Sequence, residues 1–186
     1  MHLAIRIPLT IFLVIVMIGP RVLRYFYKPK TGMLFLSSAP APVSIDREVE
    51  TGIAHIHGQT FESAIFGQGY AHASTRLWQM ERMRRVFRGT TAELFGEESV
   101  HVDKFSRHVG FFSKAKESLP LLREEERDVL EAYSAGVNAF LDNISLIGGK
   151  TCTANLLPPE LKVLGVSKLE PWEPADTLAL ARLMGL

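Results

Sequence analysis

Histidine side chains are the residues of this chain best suited to metal binding or proton transfer, and their spacing limits what they could do. His55 and His57 lie two positions apart, so a β-strand would place both imidazoles on one face, where a metal ion could bind. No third ligand follows at a recognisable spacing. The pair is therefore interpreted as the polar face of a strand, with one histidine buried and hydrogen-bonded.

His72 is a candidate general base, because a neutral imidazole can accept a proton near pH 7. No serine, cysteine or aspartate near it forms a recognisable catalytic group, so a structural role in packing is favoured. Cys152 is the single cysteine, which excludes an intramolecular disulfide and gives no evidence for a zinc site. Residue types and spacing alone therefore predict no active site.

Glycines and arginines surround His72. Gly67 and Gly69 lack the third glycine and the flanking strand of a phosphate-binding loop, and within a helix they would let another element approach closely.

Five arginines lie in the same segment: Arg76, Arg82, Arg84, Arg85 and Arg88. Glu81 lies at helical spacing from two of them, and the net charge is only +1. The cluster is therefore interpreted as a solvated face or interchain salt bridges, and nucleic-acid binding is not expected.

The elements that must position these residues are a short hairpin and a set of helices. Alternating apolar and polar residues predict strands over residues 43–49 and 53–57, separated by a turn at Thr51 and Gly52. A composition of 47% hydrophobic and 22% charged residues suits a folded domain. The predicted fold class is α+β and mainly α, with a short N-terminal β-hairpin followed by a helical domain.

Apolar residues spaced by three or four predict a long helix that Thr60 caps and Gly89 ends. The other predicted helices are residues 92–95, a helix through Phe105 and Leu119 capped by Asp103, one opened by residues 124–126 that runs through Leu141, residues 159–164, and one that begins at Pro174. Residues 145–155 are predicted to be a loop.

The N-terminal part differs in character from the rest. The apolar run at residues 7–19 is typical of a signal-peptide core or a short membrane anchor. No small-x-small cleavage site follows, so an uncleaved anchor over residues 1–27 is favoured over a cleaved signal. The basic residues after the run would place the body in the cytoplasm by the positive-inside tendency. Three prolines predict an extended linker over residues 28–42.

Five sequence blocks follow this linker in a fixed order. The strongest is Gly-Gln-Gly-Tyr-Ala-His-Ala-Ser-Thr-Arg-Leu-Trp-Gln-Met-Glu at residues 67–81. The others lie at residues 43–56, 89–96, 130–141 and 157–176, the last containing Glu-Pro-Trp-x-Pro-x-Asp. Together they resemble the α-subunit portion of the penicillin acylase family of N-terminal-nucleophile amidohydrolases. The chain departs from the family's pattern at Ser74 and Thr75, where Gln-Asp is usual.

The resemblance implies an enzyme that hydrolyses small-molecule linear amides, releasing an acyl side chain from an amine such as a β-lactam nucleus or homoserine lactone. In this family a precursor cleaves itself, and the serine that then begins the β subunit attacks the amide carbonyl. Its own α-amino group, with a pKa of about 7.7–8.0, is the base. Calcium commonly bridges the subunits. The resemblance puts the serine and the calcium ligands beyond residue 186, so residues 43–186 are expected to be an incomplete domain, inactive without its β-subunit partner. The family's α portion wraps its β subunit, so the apolar face of the long helix, from Phe66 to Phe87, is expected to be covered largely by another chain.

The resemblance gives a substrate-binding role to one residue of this chain, Met184, in the acyl pocket. Cleavage before Cys152, which would expose a cysteine nucleophile, would leave too few residues for the catalytic sheet. The family's members are commonly exported, which implies a membrane-anchored or extracytoplasmic body, opposite to the charge-based orientation. The alternative function is a non-catalytic, membrane-anchored partner protein derived from a truncated acylase.

Overall fold

The structure is a computed structural model, and it describes residues 34–35, 38–146, 157–166 and 168–185 of the 186-residue chain. The predicted anchor over residues 1–27 and the candidate nucleophile Cys152 lie outside these described residues. Among the helices within the described ranges, none has the length and apolar character that crossing a membrane requires.

Three strands form an antiparallel sheet in the order β1-β2-β3: β1 (Leu34–Phe35), β2 (Val43–Arg47) and β3 (Ala54–Gly58). The register places Ile45 opposite both Leu34 and Ile56, on its two sides. The predicted hairpin is confirmed as β2 and β3. The number of strands was underestimated, because part of the extended segment predicted as a linker pairs with the open edge of β2.

Seven α-helices follow in the described part of the chain: α1 (Phe61–Arg88), α2 (Ala92–Phe95), α3 (Val100–Val109), α4 (Phe111–Ser118), α5 (Glu124–Leu146), α6 (Pro159–Val163) and α7 (Pro174–Met184). Single 3-10 turns lie at Glu97–Ser99 and Leu119–Leu121. The mainly helical α+β class is confirmed. Ser145 is helical, so the predicted loop begins at least two residues too early.

The predicted limits of α1 are confirmed by its caps. The Ser63 backbone N–H donates to the Thr60 hydroxyl at 3.1 Å, and the Thr60 N–H donates to the Ser63 hydroxyl at 3.0 Å. This reciprocal capping satisfies two N–H groups that the first turn leaves without helical partners. Gly89 ends the helix in the left-handed conformation, with φ of 68°, which glycine adopts without strain.

A bend in α1 lies at Arg76, whose φ and ψ are −127° and 16°. The hydroxyls of Ser74 and Thr75 both donate to the Ala71 carbonyl oxygen, at 2.8 and 2.9 Å. The Arg47 guanidinium of β2 donates to the same carbonyl at 3.3 Å. Side chains that compete with the backbone for a helical carbonyl bend the helix. The two residues that depart from the family's pattern therefore lie at the bend.

The predicted helix through Phe105 and Leu119 is two helices. Gly110 has a φ of 75° and separates α3 from α4. Asp103 lies inside α3, so its predicted role as the cap of that helix is wrong. Its two carboxylate oxygens instead accept hydrogen bonds from the backbone N–H groups of Thr91 and Ala92, at 2.7 and 2.8 Å. Asp103 thus caps α2, a different helix.

α1 and α5 approach each other through two glycines. A Cβ atom on Gly69 would lie 2.2 Å from the Tyr133 carbonyl oxygen, and one on Gly136 would lie 1.9 Å from the Phe66 carbonyl oxygen. Neither position has room for a side chain. Gly67 lies against the sheet in the same way, so the interpretation of the paired glycines as points of close approach is confirmed.

The apolar face of α1 is buried within this chain. Phe66 and Phe87 are 2% and 1% exposed, and they belong to two core clusters formed with the sheet, α4, α5 and α7. The expectation that another chain covers this face is therefore wrong. Amphipathic spacing shows that a face is covered but not which element covers it.

Candidate functional site

The candidate site is the C-terminal end of α7 together with the residues that hold this helix. Met184 is the last residue of α7, and its side chain is 79% exposed. Leu183, the residue before it, is partly buried and packs against the main core cluster. The helix end therefore presents one apolar side chain outward while its neighbour anchors it to the domain.

The segment that leads into α7 is held by α5. The Asn138 side-chain amide donates to the Trp172 carbonyl oxygen at 3.0 Å and accepts from the Trp172 N–H at 2.7 Å. The buried Trp172 indole donates to the Thr177 hydroxyl at 3.0 Å and packs edge-on against Phe87. One side chain therefore satisfies both backbone groups of Trp172, which fixes the direction in which the chain enters α7.

A buried guanidinium from α1 holds the same segment at the two residues that directly precede Trp172. Arg84 is 4% exposed, and it donates to the carbonyl oxygens of Glu170 and Pro171 at 2.7 and 3.2 Å. It also pairs with the buried Glu81 carboxylate, which accepts from Arg85 at 2.8 Å as well. A buried charge requires such partners, because unpaired burial is costly. The predicted helical pairing of Glu81 with both arginines is confirmed.

The strongest tie between α1 and α7 is a bidentate ion pair. Arg88 Nε donates to Asp176 Oδ1 and its Nη2 donates to Oδ2, both at 2.8 Å. Asp176 is 0% exposed and also accepts from the Glu173 backbone N–H at 2.8 Å. Burial by itself would lower the pKa of Arg88, but hydrogen bonds and charge from Asp176 and Glu173 raise it above its ordinary value. The Arg88 guanidinium therefore stays charged at physiological pH.

The interpretation of the arginine cluster as a solvated face or as interchain salt bridges is wrong for three of its members. Arg84, Arg85 and Arg88 form ion pairs inside the chain, whereas Arg76 and Arg82 are exposed. Helical spacing reveals partners three or four residues away. No sequence signal links Arg88 with a carboxylate so much later in the chain, and the tertiary structure alone shows that pair.

Comparison with known proteins identifies the family. The family model described as Penicillin amidase matches residues 42–186. The chain belongs to the penicillin amidase family. It is 36% identical to the penicillin acylase 2 proenzyme of Pseudomonas sp. (strain SE83) over 85% of this chain and 19% of that protein. It is 30% identical to the acyl-homoserine lactone acylase QuiP of Pseudomonas fluorescens (strain Pf0-1) over 84% of this chain and 18% of the relative.

The structural comparison agrees with this family. The thermostable penicillin G acylase from Alcaligenes faecalis superimposes with a TM-score of 0.64 at 28% identity, covering 74% of this chain and 69% of that chain. The chain spans less than a fifth of the length of each of the two curated penicillin amidase relatives described above. These comparisons show that the chain belongs to a family whose members are enzymes.

His72 ties two helices together in this penicillin amidase domain. Its Nδ1 atom shares a hydrogen bond with the Tyr133 hydroxyl at 3.0 Å, and the two rings meet edge-on. Burial, and then the charge of Arg76, lower the pKa of His72, and burial raises the pKa of Tyr133. The His72 side chain is itself exposed, and its contact with Tyr133 links α1 to α5, which fits the packing interpretation.

The histidine pair of β3 faces solvent. His55 and His57 are both exposed, opposite Asp46 and Ser44 in the register of the sheet, so the expectation that one is buried is wrong. Within the described residues, no group of three or more histidine, cysteine, aspartate or glutamate side chains could hold a metal ion.

Proposed function

We propose that this chain is the N-terminal, α-subunit-type part of a penicillin acylase-like amidohydrolase that hydrolyses linear amides. The observation that carries the proposal is the match of the penicillin amidase family model to residues 42–186. Met184, 79% exposed at the end of α7, supports a binding role for this chain. The proposed substrates are small amides that join an acyl side chain to an amine such as a β-lactam nucleus or homoserine lactone. The similarity to a penicillin acylase and to an acyl-homoserine lactone acylase supports both substrate classes.

In this proposal the chain contributes binding, and the β portion contributes the chemistry. Met184 supplies an apolar surface for the acyl side chain, since acyl groups bind by burying hydrocarbon. A serine in the β portion attacks the amide carbonyl, its α-amino group takes the hydroxyl proton, and the amine leaves protonated. Water then releases the acyl group from the serine.

The first experiment compares the complete precursor with the 186-residue chain on chromogenic phenylacetyl and long-chain acyl anilides. We expect turnover by the complete protein and none by the chain alone. Turnover by the chain alone that His72→Ala or Cys152→Ala abolishes would contradict the proposal. A complete protein that hydrolyses none of these anilides would instead favour the non-catalytic partner protein.

The role of Met184 is tested by Met184→Ala in the complete protein. Loss of three heavy atoms from an apolar pocket should lower kcat/KM for the preferred acyl anilide by about tenfold to a hundredfold. The matched control is Val163→Ala, because Val163 is 86% exposed at the end of α6. Equal effects of the two substitutions would exclude Met184 from the pocket.

We further propose that residues 1–27 direct export and hold the protein at the membrane as an uncleaved anchor. The apolar run at residues 7–19 supports this proposal. Cell fractionation and N-terminal sequencing of the mature protein test it. A soluble mature protein that begins near Ala39 or Ala41 would show a cleaved signal instead.

A further inference from the structure

A set of ion pairs and hydrogen bonds connects α7 to α1 and α4, and it identifies residues that act on substrate without touching it. We propose that Arg88 is a positioning residue that sets the register of α7 and thereby the acyl-chain preference of the enzyme. This inference rests on the proposed function, because it assumes that the end of α7 borders the acyl pocket.

Arg88 constrains both the distance and the angle of α7. Its two hydrogen bonds to Asp176 engage both carboxylate oxygens, so a rotation of α7 about its axis would break at least one of them. Arg88 Nη2 also lies 3.1 Å from the Glu173 carboxylate. The guanidinium is itself held, because it lies over the Phe112 ring with its central carbon 4.3 Å from the ring centroid.

A second side of α7 is held by α4. Lys116 Nζ lies 3.1 Å from Glu173 and 4.9 Å from the Phe112 ring centroid. Near the other end of α7, Arg182 donates to the Ser118 hydroxyl at 2.6 Å. Contacts from two different helices therefore fix α7 at both of its ends, and Arg88 makes the one that is buried.

Hydrophobic packing and the buried ion pair both hold α7. Ala175 and Ala179 are its fully buried apolar residues, and Leu178, Leu180 and Leu183 pack, partly buried, against the same core cluster. Apolar contacts are not directional, whereas the two hydrogen bonds of a buried guanidinium–carboxylate pair form in one arrangement. Asp176 and its partner therefore add a directional constraint on the register of α7 that the apolar contacts lack.

A change at Asp176 reaches Met184 through a rigid element. The two residues are eight positions apart in one 11-residue helix, which corresponds to about 12 Å along the axis. Both helix ends are capped, and Glu173 forms a capping box with Asp176 at the start. A shift of α7 by a fraction of a turn would move Met184 by an ångström or more, enough to change how long an acyl chain fits.

The test uses the complete protein with Arg88→Gln, Arg88→Lys and the matched control Arg123→Gln. Arg123 also forms an ion pair, with Glu126, but at an exposed site at the start of α5. The measurement is kcat/KM for acyl anilides of increasing chain length. We expect Arg88→Gln to change the ratio between long and short chains by about tenfold, which corresponds to roughly 1.4 kcal/mol.

Arg88→Lys keeps the charge but not the two parallel hydrogen bonds, so its ratio should lie between those of Arg88→Gln and the unaltered protein. Arg123→Gln should leave the ratio unchanged. If Arg88 had a merely structural role, its substitution would lower the melting temperature and would reduce kcat/KM for all the acyl anilides by the same factor. That uniform reduction would overturn the proposal.

Amide hydrogen exchange of residues 174–184 gives a readout that does not need activity. We expect Arg88→Gln to raise the exchange rate there at least tenfold while residues 124–142 of α5 keep their protection. If the unaltered protein hydrolyses no amide, the proposed function fails but the exchange result still tests the positioning role. Unchanged protection of α7 in both Arg88→Gln and Arg88→Lys would overturn the inference.

Discussion

Replacing Gly136 by alanine sets helix propensity against packing, because the two effects have opposite signs. Within a helix, alanine is more stable than glycine by about 0.5–1 kcal/mol, so propensity alone predicts that Gly136→Ala stabilises α5. The structure predicts the reverse. The new Cβ atom would lie 1.9 Å from the Phe66 carbonyl oxygen, whereas ordinary van der Waals contact begins at 3.4 Å.

The size of the effect follows from what has to move. The obstructing atom is backbone in α1, so α1 and α5 must separate by about 1.5 Å to restore ordinary contact. Overpacking relieved by side chains costs about 1–3 kcal/mol. Here two helices must move, and their separation also loosens the contact of Gly69 with Tyr133. We therefore expect Gly136→Ala to destabilise the domain by about 3–4 kcal/mol, at the upper end of single substitutions.

The assay is amide hydrogen exchange of α1 and α5 in the complete protein, combined with its thermal melting. A loss of about 3 kcal/mol corresponds to a more than hundredfold faster exchange of amides that open with the domain. Gly185→Ala is the control, because its Cβ would lie no closer than 3.5 Å to other atoms and its φ is −91°. A Gly136→Ala protein as stable as the unaltered one would refute the close approach of α1 and α5.

Three further predictions concern the polar side chains Asp103, Arg84 and His72. Asp103→Ala removes the acceptor for two N–H groups at the start of α2, so the domain should lose about 1–2 kcal/mol in thermal melting, with Asp103→Asn intermediate. Arg84→Leu leaves the buried Glu81 carboxylate with Arg85 as its remaining ion-pair partner, and urea denaturation should show a loss of about 3 kcal/mol. Because burial lowers the pKa of His72 below its ordinary 6.5, the unfolded chain binds a proton first as the pH falls. The contribution of His72 to the free energy of unfolding should therefore be complete well above pH 6.5 and should decrease as the pH falls below 6.5. His72→Gln should make the melting temperature less dependent on pH in that range.

Local sequence patterns were sufficient where the physical cause is itself local. The limits of α1 follow from Thr60 and Gly89, because a capping side chain and a left-handed glycine act within one turn of the helix end. The two strands around Gly52 follow from alternation with period two. The order of five sequence blocks was also enough to indicate the family, which the comparison confirmed.

Sequence patterns failed where a residue's partner lies far along the chain. Asp103 has the type and position of a cap for its own helix, yet it caps α2, because the turn at Gly96 and Glu97–Ser99 brings α3 back against that helix. Leu34 lies in a proline-rich stretch typical of a linker, yet it pairs with β2 because that edge of the sheet was open. In both cases the deciding partner carries no local signal.

The sequence by itself determined the β2–β3 hairpin, the limits of α1, the close approach at Gly69 and the family. Only the tertiary structure decided what surrounds the candidate site: that α1 buries its apolar face within the same chain, and that Arg88 reaches Asp176 to hold α7. The physical reason is that periodicity records which face of an element is covered, whereas an ion pair between distant residues depends on how whole helices are arranged.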